Sequence, residues 1–444
     1  MLPGAFLEKM KTALPAEEWD AFCASYEEPA PKGLRVNTWK GSLALLQEAY
    51  DLPLSPVPWD PEGFYYEETE VQPGKLALHE AGAYYIQEPS AMLPAALLSP
   101  LPGEKVLDLC AAPGGKTIQL ACRMQGKGLL LSNEIHPARA KILSENVERC
   151  GIRNAIVCNE DPAALSARFP AFFDRILVDA PCSGEGMFRK NPDAVSEWSP
   201  ENVTLCAARQ DEILDHAAVC LRPGGRLVYS TCTFSPEEDE ECVLRFLSRH
   251  PDYILTHSEK LLPHKVRGDG QFAAVFERKG GETAPESGSV PLTQSRKGRK
   301  QKDLSCPAEL AGLWNETPDP SRLFPFGDRL FLLPEDAFPL DGLKCLRPGL
   351  CLGAYKKDRF EPDHALALSL RPDEAVRAVS LDEKEAVSYL MGNTISRQTE
   401  NGWTLLTYAG YSLGFGKAVN GIIKNHYPKG LRTQCALRST PQAP

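Results

Sequence analysis

Between about residues 100 and 280, short apolar runs alternate with stretches whose apolar positions recur every three or four residues. Lys105-Val106-Leu107-Asp108-Leu109 reads as a buried strand, followed across a Gly-rich turn by the helix Thr117–Met124. The pattern continues with 128–133 (strand), 137–150 (helix), 155–158 (strand), 175–178 (strand) and the long helix 202–221. Pro223-Gly224-Gly225 closes that helix, and Arg226–Ser230 is another strand. Tyr253–Thr256 and Gln271–Phe276 are placed to pair near the sheet edge. Strands separated by helices of this length predict βαβ units, hence an α/β fold with a mostly parallel sheet and helices on both faces.

The flanks read differently. Leu7–Tyr26 has a helical period, and Leu52–Pro61 is rich in Pro and Trp. After Lys279 the composition shifts to Gly, Ser, Thr, Pro and charge, which predicts a linker. Strand-like runs return at 329–333 and 350–355. Trp403–Arg432 has short alternating runs broken by Gly410, Gly414, Gly416 and Gly421, as in a small barrel. The expected division is 1–75 (N-terminal extension), 76–280 (α/β domain), 281–308 (linker), 309–375 (intermediate module) and 376–444 (C-terminal module).

Composition narrows the class. At 444 residues, 43% apolar and 24% charged, the chain suits two or three globular domains. No run approaches the roughly 18 apolar residues of a membrane span, and Pro3, Gly4 and Glu8 interrupt the start, so a cytoplasmic protein is expected. Fourteen cysteines with no Cys-x-x-Cys pair, and eight histidines in no zinc-ligand spacing, predict reduced thiols and no metal site. The net charge of −10 opposes polyanion binding on average. After Glu400, however, no acidic residue remains, while Lys417, Lys424, Lys429, Arg432 and Arg438 do, so the tail is locally basic.

Candidate chemistry starts in the segment 108–116, Asp-Leu-Cys-Ala-Ala-Pro-Gly-Gly-Lys, between the first parallel strand and its helix. Open α/β sheets place ligands there, and small residues let the backbone approach them. Glu134 ends the next strand, where a carboxylate can accept both ribose hydroxyls of an adenosine-containing cofactor; Asp161, after the third, suits the adenine side. Gly-x-Gly-x-x-Gly is absent, which favours S-adenosyl-L-methionine over a dinucleotide. Two cysteines then end neighbouring strands, in Asp179-Ala180-Pro181-Cys182-Ser183-Gly184 and Ser230-Thr231-Cys232-Thr233-Phe234-Ser235. A thiolate adding to cytosine C6 makes C5 nucleophilic enough to take a methyl group, and a second polar group helps the later elimination. Chemistry alone leaves open which cysteine attacks.

These motifs resemble the Nol/Nop/Sun family of RNA cytosine-C5 methyltransferases, as do Gln87-Glu88-Pro89-Ser90-Ala91 and Arg35-Val36-Asn37. The core likeness covers about residues 80 to 280. The segments 414–417 and 424–432 are similar to the bacterial RsmF branch, which methylates small-subunit ribosomal RNA and carries C-terminal RNA-binding modules, one of them PUA-like. The resemblance implies a Rossmann-like catalytic domain with S-adenosyl-L-methionine as cofactor. It implies that Cys232 is the nucleophile, that Cys182 assists product release, and that Asp179 faces both methyl donor and cytosine. Cys110, Ala111, Ala112, Pro113, Gly114, Gly115, Lys116, Glu134, Asp161 and Asp179 align with cofactor contacts.

Further features bear on RNA. Arg189-Lys190 suits a phosphate contact, whereas the basic run 296–302 reads as solvated linker. Phe415, His426 and Tyr427 among the tail lysines suit base stacking beside phosphates. The alternatives to ribosomal RNA methylation are the same chemistry on transfer RNA, or a non-catalytic RNA-binding ribosome assembly factor.

Overall fold

Strands β1 (Lys105–Asp108), β2 (Leu129–Asn133), β3 (Ala155–Cys158), β4 (Phe173–Asp179), β5 (Leu221–Thr231), β6 (Tyr253–Leu261), β7 (Gln271–Arg278) and β8 (Cys345–Arg347) form one sheet in the order β6-β7-β5-β4-β1-β2-β3-β8. This computed structural model describes residues 2–50, 52–67, 72–280, 306–356 and 359–435. The basic run 296–302, Arg438 and most of the expected linker lie outside the described residues. Strands β1 to β5 are mutually parallel, β7 is antiparallel to β5, β6 to β7, and β8 to β3. Successive residues on a strand point to opposite faces. Accordingly Leu107, Leu131, Ile156 and Ile176 enter one core, while Val106, Leu130, Val157 and Leu177 enter the other. Both faces are covered, which is why these strands are apolar throughout.

The crossovers that matter for the site are helices α1 (Gly115–Met124), α2 (Pro137–Arg149), α3 (Pro162–Arg168) and α4 (Pro200–Cys220). Two local expectations are corrected. The helical stretch 7–26 is two helices, Gly4–Ala13 and Trp19–Ser25, because Pro15 cannot continue the first. The stretch 223–225 does not merely close a helix: β5 begins at Leu221. Pairing passes from Phe173–Leu221 to Arg175–Arg226, so the intervening residues bulge, with Gly224 at φ 75°.

The remaining parts pack around this sheet. An N-terminal antiparallel sheet takes the order 54–57, 60–66, 33–36, 84–86. Its Leu34 and Tyr84 share a core with Leu406, Tyr411 and Tyr427 of the last module, so chain start and chain end are joined. That module is a five-stranded sheet in the order 378–381, 402–408, 411–419, 422–425, 395–396. Between it and the α/β domain lies a four-stranded sheet, with strands at 323–326, 329–332, 350–356 and 359–362. Arg153 fastens this intermediate part to the α/β domain. Its guanidinium holds Glu374 at 2.9 and 2.6 Å and lies between the rings of Trp39 and Trp314, 5.1 and 5.2 Å from their centroids. Among the described residues, no helix is long and apolar enough to cross a membrane, and no His/Cys/Asp/Glu group is arranged to hold a metal.

Candidate active site

At the carboxyl ends of β1 to β5 lies a cavity of about 580 Å³. Cys110, Ala112, Glu134, Asp161, Asp179, Cys182 and Cys232 all line it. Ala111, Pro113, Gly114, Gly115 and Lys116 do not, although they belong to the loop that forms its floor. Gly114 takes φ 115°, where a side chain is strained. A Cβ on Gly115 would come within 3.0 Å of Tyr85, because α1 starts directly against the N-terminal sheet. Arg35, fully buried, donates to the Gly115 carbonyl at 3.3 Å and to Gln87 at 3.4 Å. The two upstream motifs therefore brace the loop from behind. Arg139 and Asn146 of α2 hold it from the front, donating to the Ala112 and Pro113 carbonyls at 2.8 and 2.9 Å.

Glu134 is buried, yet only one oxygen has a short partner, the His136 N–H at 3.0 Å. Its other oxygen has Arg139 at 3.5 Å, which leaves acceptor capacity toward the cavity. Asp161 caps α3, accepting from the Ala163 N–H at 2.8 Å, with Pro162 in the first helical position. A small-residue loop, a buried carboxylate with spare lone pairs and a second carboxylate beyond it fit the methionine, ribose and adenine parts of S-adenosyl-L-methionine.

Asp179 is the hub of the opposite wall. Its Oδ2 accepts from Lys116 Nζ at 2.7 Å, and its Oδ1 accepts from Ser230 Oγ at 2.7 Å and Gln271 Nε2 at 3.2 Å. Burial alone would depress the Lys116 ammonium; the Asp179 carboxylate overrides this and holds it above the ordinary lysine value. Just beyond, the Cys182 and Cys232 sulfurs are 3.1 Å apart, and the Cys232 N–H donates to the Cys182 sulfur at 3.3 Å. The hydrogen bond with Cys232, together with burial, raises the Cys182 thiol well above its ordinary value, so Cys182 keeps its proton.

Two buried carboxylates tie the cysteine loops to each other. Glu185, on the Cys182 loop, accepts from the Phe234 N–H (2.8 Å) and Ser235 Oγ (2.6 Å) beside Cys232, and from Trp198 Nε1 at 3.0 Å. Glu238, on the Cys232 side, accepts from the Ser183 N–H (3.0 Å) beside Cys182 and from Gln210 Nε2 (2.7 Å). Ser183 and Thr233 hydroxyls meet at 2.8 Å between them.

Several lining residues were not foreseen. Arg209, Glu212 and His216 of α4 face the cavity. Their spacing of three and four makes them one stripe of a helical wheel, which was a readable signal. Arg189 was expected at a phosphate, and the structure corrects this. It is nearly buried, donates to the Ser25 carbonyl at 3.0 Å and pairs with buried Asp269 at 2.8 Å; Lys190 pairs with the same carboxylate. Phe415 and Tyr427 are likewise core residues rather than stacking faces, 3% and 4% exposed. Cys122, Cys150, Cys158, Cys206 and Cys220 are buried.

Comparison with known proteins agrees with this geometry. Residues 95–277 match the model of the 16S rRNA methyltransferase RsmB/F, and residues 2–89 that of the N-terminal domain of 16S rRNA methyltransferase RsmF. Residues 309–370 match the RsmF first C-terminal domain, and 376–433 the RsmF PUA domain. Ribosomal RNA small subunit methyltransferase F of Cronobacter sakazakii is 35% identical over 99% of this chain and 98% of its own. Its counterpart in Klebsiella pneumoniae is 36% identical over 97% and 96%. A methyltransferase homolog protein from Pyrococcus horikoshii, 29% identical, superposes with a TM-score of 0.54 over 60% of this chain and 92% of its own. NSun6 from the same organism, solved with SFG, shares the fold at 22% identity, with a TM-score of 0.56 over 62% of this chain and 98% of its own. The chain belongs to the ribosomal RNA small subunit methyltransferase F family of S-adenosyl-L-methionine-dependent RNA cytosine-C5 methyltransferases.

Proposed function

We propose that this enzyme forms 5-methylcytosine in small-subunit (16S) ribosomal RNA, in the cytoplasm, through a covalent bond between Cys232 and the target base. The observation that carries the reading is the pair of sulfurs 3.1 Å apart in a cavity that Glu134 and Asp179 also line. In this reading the target cytosine leaves its stack to enter the cavity. Three donors already fix the Asp179 carboxylate, and its remaining lone pair accepts from the cytosine 4-amino group. Cys232 adds to C6 and makes C5 nucleophilic. When bound, S-adenosyl-L-methionine supplies the electrophilic methyl group that C5 takes. Water then takes the C5 proton, and the electrons of that C–H bond re-form the C5–C6 double bond and expel the Cys232 sulfur as a thiolate. Cys182, still protonated beside it, steadies the departing thiolate with its S–H. The Cys110–Lys116 loop shapes the methionine end of the cofactor pocket, Glu134 holds the ribose and Asp161 the adenine side.

The test is methyl transfer with alanine variants on purified small subunits, naked ribosomal RNA and transfer RNA in parallel. Cys232→Ala is expected to abolish methylation without any covalent link. Cys182→Ala is expected to stall after attack and remain bonded to RNA, seen as a slow denaturing-gel band that RNase removes. The reversed pattern would exchange the two roles. Substantial activity in both variants would overturn the covalent mechanism, and methylation of transfer RNA alone would overturn the substrate.

A further inference from the structure

A second cavity, of about 450 Å³, lies far along the chain from the cysteines, where the catalytic domain, the intermediate part and the last module meet. Glu148 of α2, Arg329, His364, Trp403, Phe415 and His426 are among its lining residues. Its volume is within the roughly 300–1,000 Å³ of small-ligand pockets. One wall is aromatic: the Trp403 ring centroid is 4.4 Å from that of His426 and 6.2 Å from that of Phe415. Phe415 is sealed in the core, so Trp403 and His426 form the accessible part of this wall.

Beside Trp403 runs an unusual row. Trp403 pairs directly with Lys417 on the neighbouring strand, and Lys417 pairs directly with Lys424 on the next. All three side chains therefore project from one face of the sheet. Lysines placed opposite each other repel. Both are exposed, and among the described residues neither makes an ion pair; Lys417 Nζ instead lies 5.6 Å from the Trp403 ring centroid. The acidic groups of the cavity are already engaged. Glu148 pairs with Arg347, Glu361 with Lys356 at 2.5 Å, and Asp363 with Arg329 at 3.6 Å. The two lysines do not line the cavity, but Lys417 lies against the Trp403 that does, so their positive charge is left uncompensated beside it. Deeper in, His364 Nδ1 is closed off from solvent without a hydrogen-bond partner. Burial lowers that imidazole to about 4, so near neutral pH it is an uncharged group able to donate or accept.

We propose that this cavity takes a single unstacked nucleotide of the RNA substrate, its base against Trp403 and its phosphate at the Lys417–Lys424 pair. A planar base suits the aromatic wall, the neutral His364 suits a base edge, and an anion beside the cavity relieves the lysine repulsion. The inference rests on the RNA-methylating reading of the enzyme and adds to it a second point of attachment, in a cavity separate from the one that holds the cysteines.

The last module shares a core with the N-terminal sheet, so point variants of the full chain are the right test and truncation is not. The probe is a fluorescein-labelled single-stranded RNA octamer of mixed sequence, followed by anisotropy across a salt series. Trp403→Ala is expected to weaken binding about ten- to hundred-fold, the size of one lost base stack, and Trp403→Phe to restore most of it. Lys417→Gln with Lys424→Gln is expected to flatten the salt dependence by about 0.7 in the log–log slope, the value for one phosphate contact on a single strand. Lys384→Gln, an exposed lysine elsewhere on the same module, is the control and is expected to bind as wild type. On small subunits the site variants should raise KM while kcat and S-adenosyl-L-methionine affinity stay unchanged. Wild-type binding by the site variants, or equal losses in the Lys384→Gln control, would overturn the proposal. Should wild-type enzyme fail to methylate any RNA, the function reading falls while the octamer titration still decides the site.

Discussion

Asp108 makes the sharpest physical prediction about the cofactor loop. Its carboxyl is fully buried at the end of β1; Oδ2 accepts from Thr117 Oγ1 at 2.6 Å and Oδ1 has no partner. Burial is the main cause that raises it from the ordinary 3.8 to about 7. The Thr117 hydrogen bond opposes the rise, and the nearby Asp179 carboxylate adds to it. The folded state therefore binds this proton more tightly than the unfolded state does. Its contribution to stability is complete below about pH 4, declines as pH climbs, and is exhausted above about pH 7. Three units at 1.36 kcal/mol each set the loss at roughly 4 kcal/mol. With no solvent exposure, screening gives little reason to reduce it.

Asp108→Asn keeps the shape and abolishes the titration. Thr117 Oγ1 can donate to the amide oxygen or accept from its nitrogen, so the local hydrogen bond survives either way. The assay is urea unfolding of both proteins at constant ionic strength from pH 5 to pH 8. Other titrating groups are common to both proteins and cancel in the difference. Near pH 5 the variant should already lead by about 1.6 kcal/mol, and by pH 8 its lead should reach about 4 kcal/mol. Parallel curves across the range would show that Asp108 does not change protonation there, and the account of its burial would be wrong.

Two further outcomes are expected. Glu134→Ala should weaken S-adenosyl-L-methionine by about 2–4 kcal/mol in calorimetric titration with the fold intact, since two charge-assisted hydrogen bonds are lost; unchanged affinity would remove Glu134 from the site. Glu185→Ala deprives the Phe234 N–H, Ser235 Oγ and Trp198 Nε1 of their acceptor, and should cost about 3–6 kcal/mol in urea unfolding, with Glu185→Gln intermediate. An alanine variant as stable as wild type would mean that water replaces the carboxylate.

What the sequence disclosed and what it concealed divide along the range of the interactions. The parallel core was legible because each strand and the helix after it are neighbours in the chain, and their periods differ. The loop 108–116, Glu134, Asp161 and the two cysteines were legible for the same reason, since each stands directly after a strand. The eighth strand was not, because Cys345 pairs with Cys158 across nearly two hundred residues. Arg189 misled for a related reason: the buried Asp269 that claims it is about eighty residues away. Phe415 looked like a stacking residue because it lies two positions from Lys417 on the same strand face. The intermediate part covers the inner portion of that face, placing Phe415 with Leu310, Leu366 and Leu405, and leaves the Lys417 end bare. Side-chain alternation marks a face; it does not mark where a neighbouring module stops.

The crossed ties between the cysteine loops suit the two-thiol chemistry proposed above. The two sulfurs belong to different strands, and the Asp179–Ser230 pairing of β4 with β5 aligns only the strand ends. Beyond those ends each loop would be free to drift, and a shift of an ångström would separate the sulfurs beyond mutual contact. Here each loop carries the carboxylate that holds the other: Glu185 reaches from the Cys182 side to Phe234 and Ser235, and Glu238 from the Cys232 side to Ser183. Burial raises Glu238, so the tie comes at an electrostatic cost, and one of its oxygens is left without a partner. Apolar packing could have filled the same volume, but it is non-directional, whereas a carboxylate accepting from a particular N–H fixes distance and angle together. The arrangement therefore gives up some stability for a defined separation between the sulfurs, which is what the proposed attack and release on one base would require.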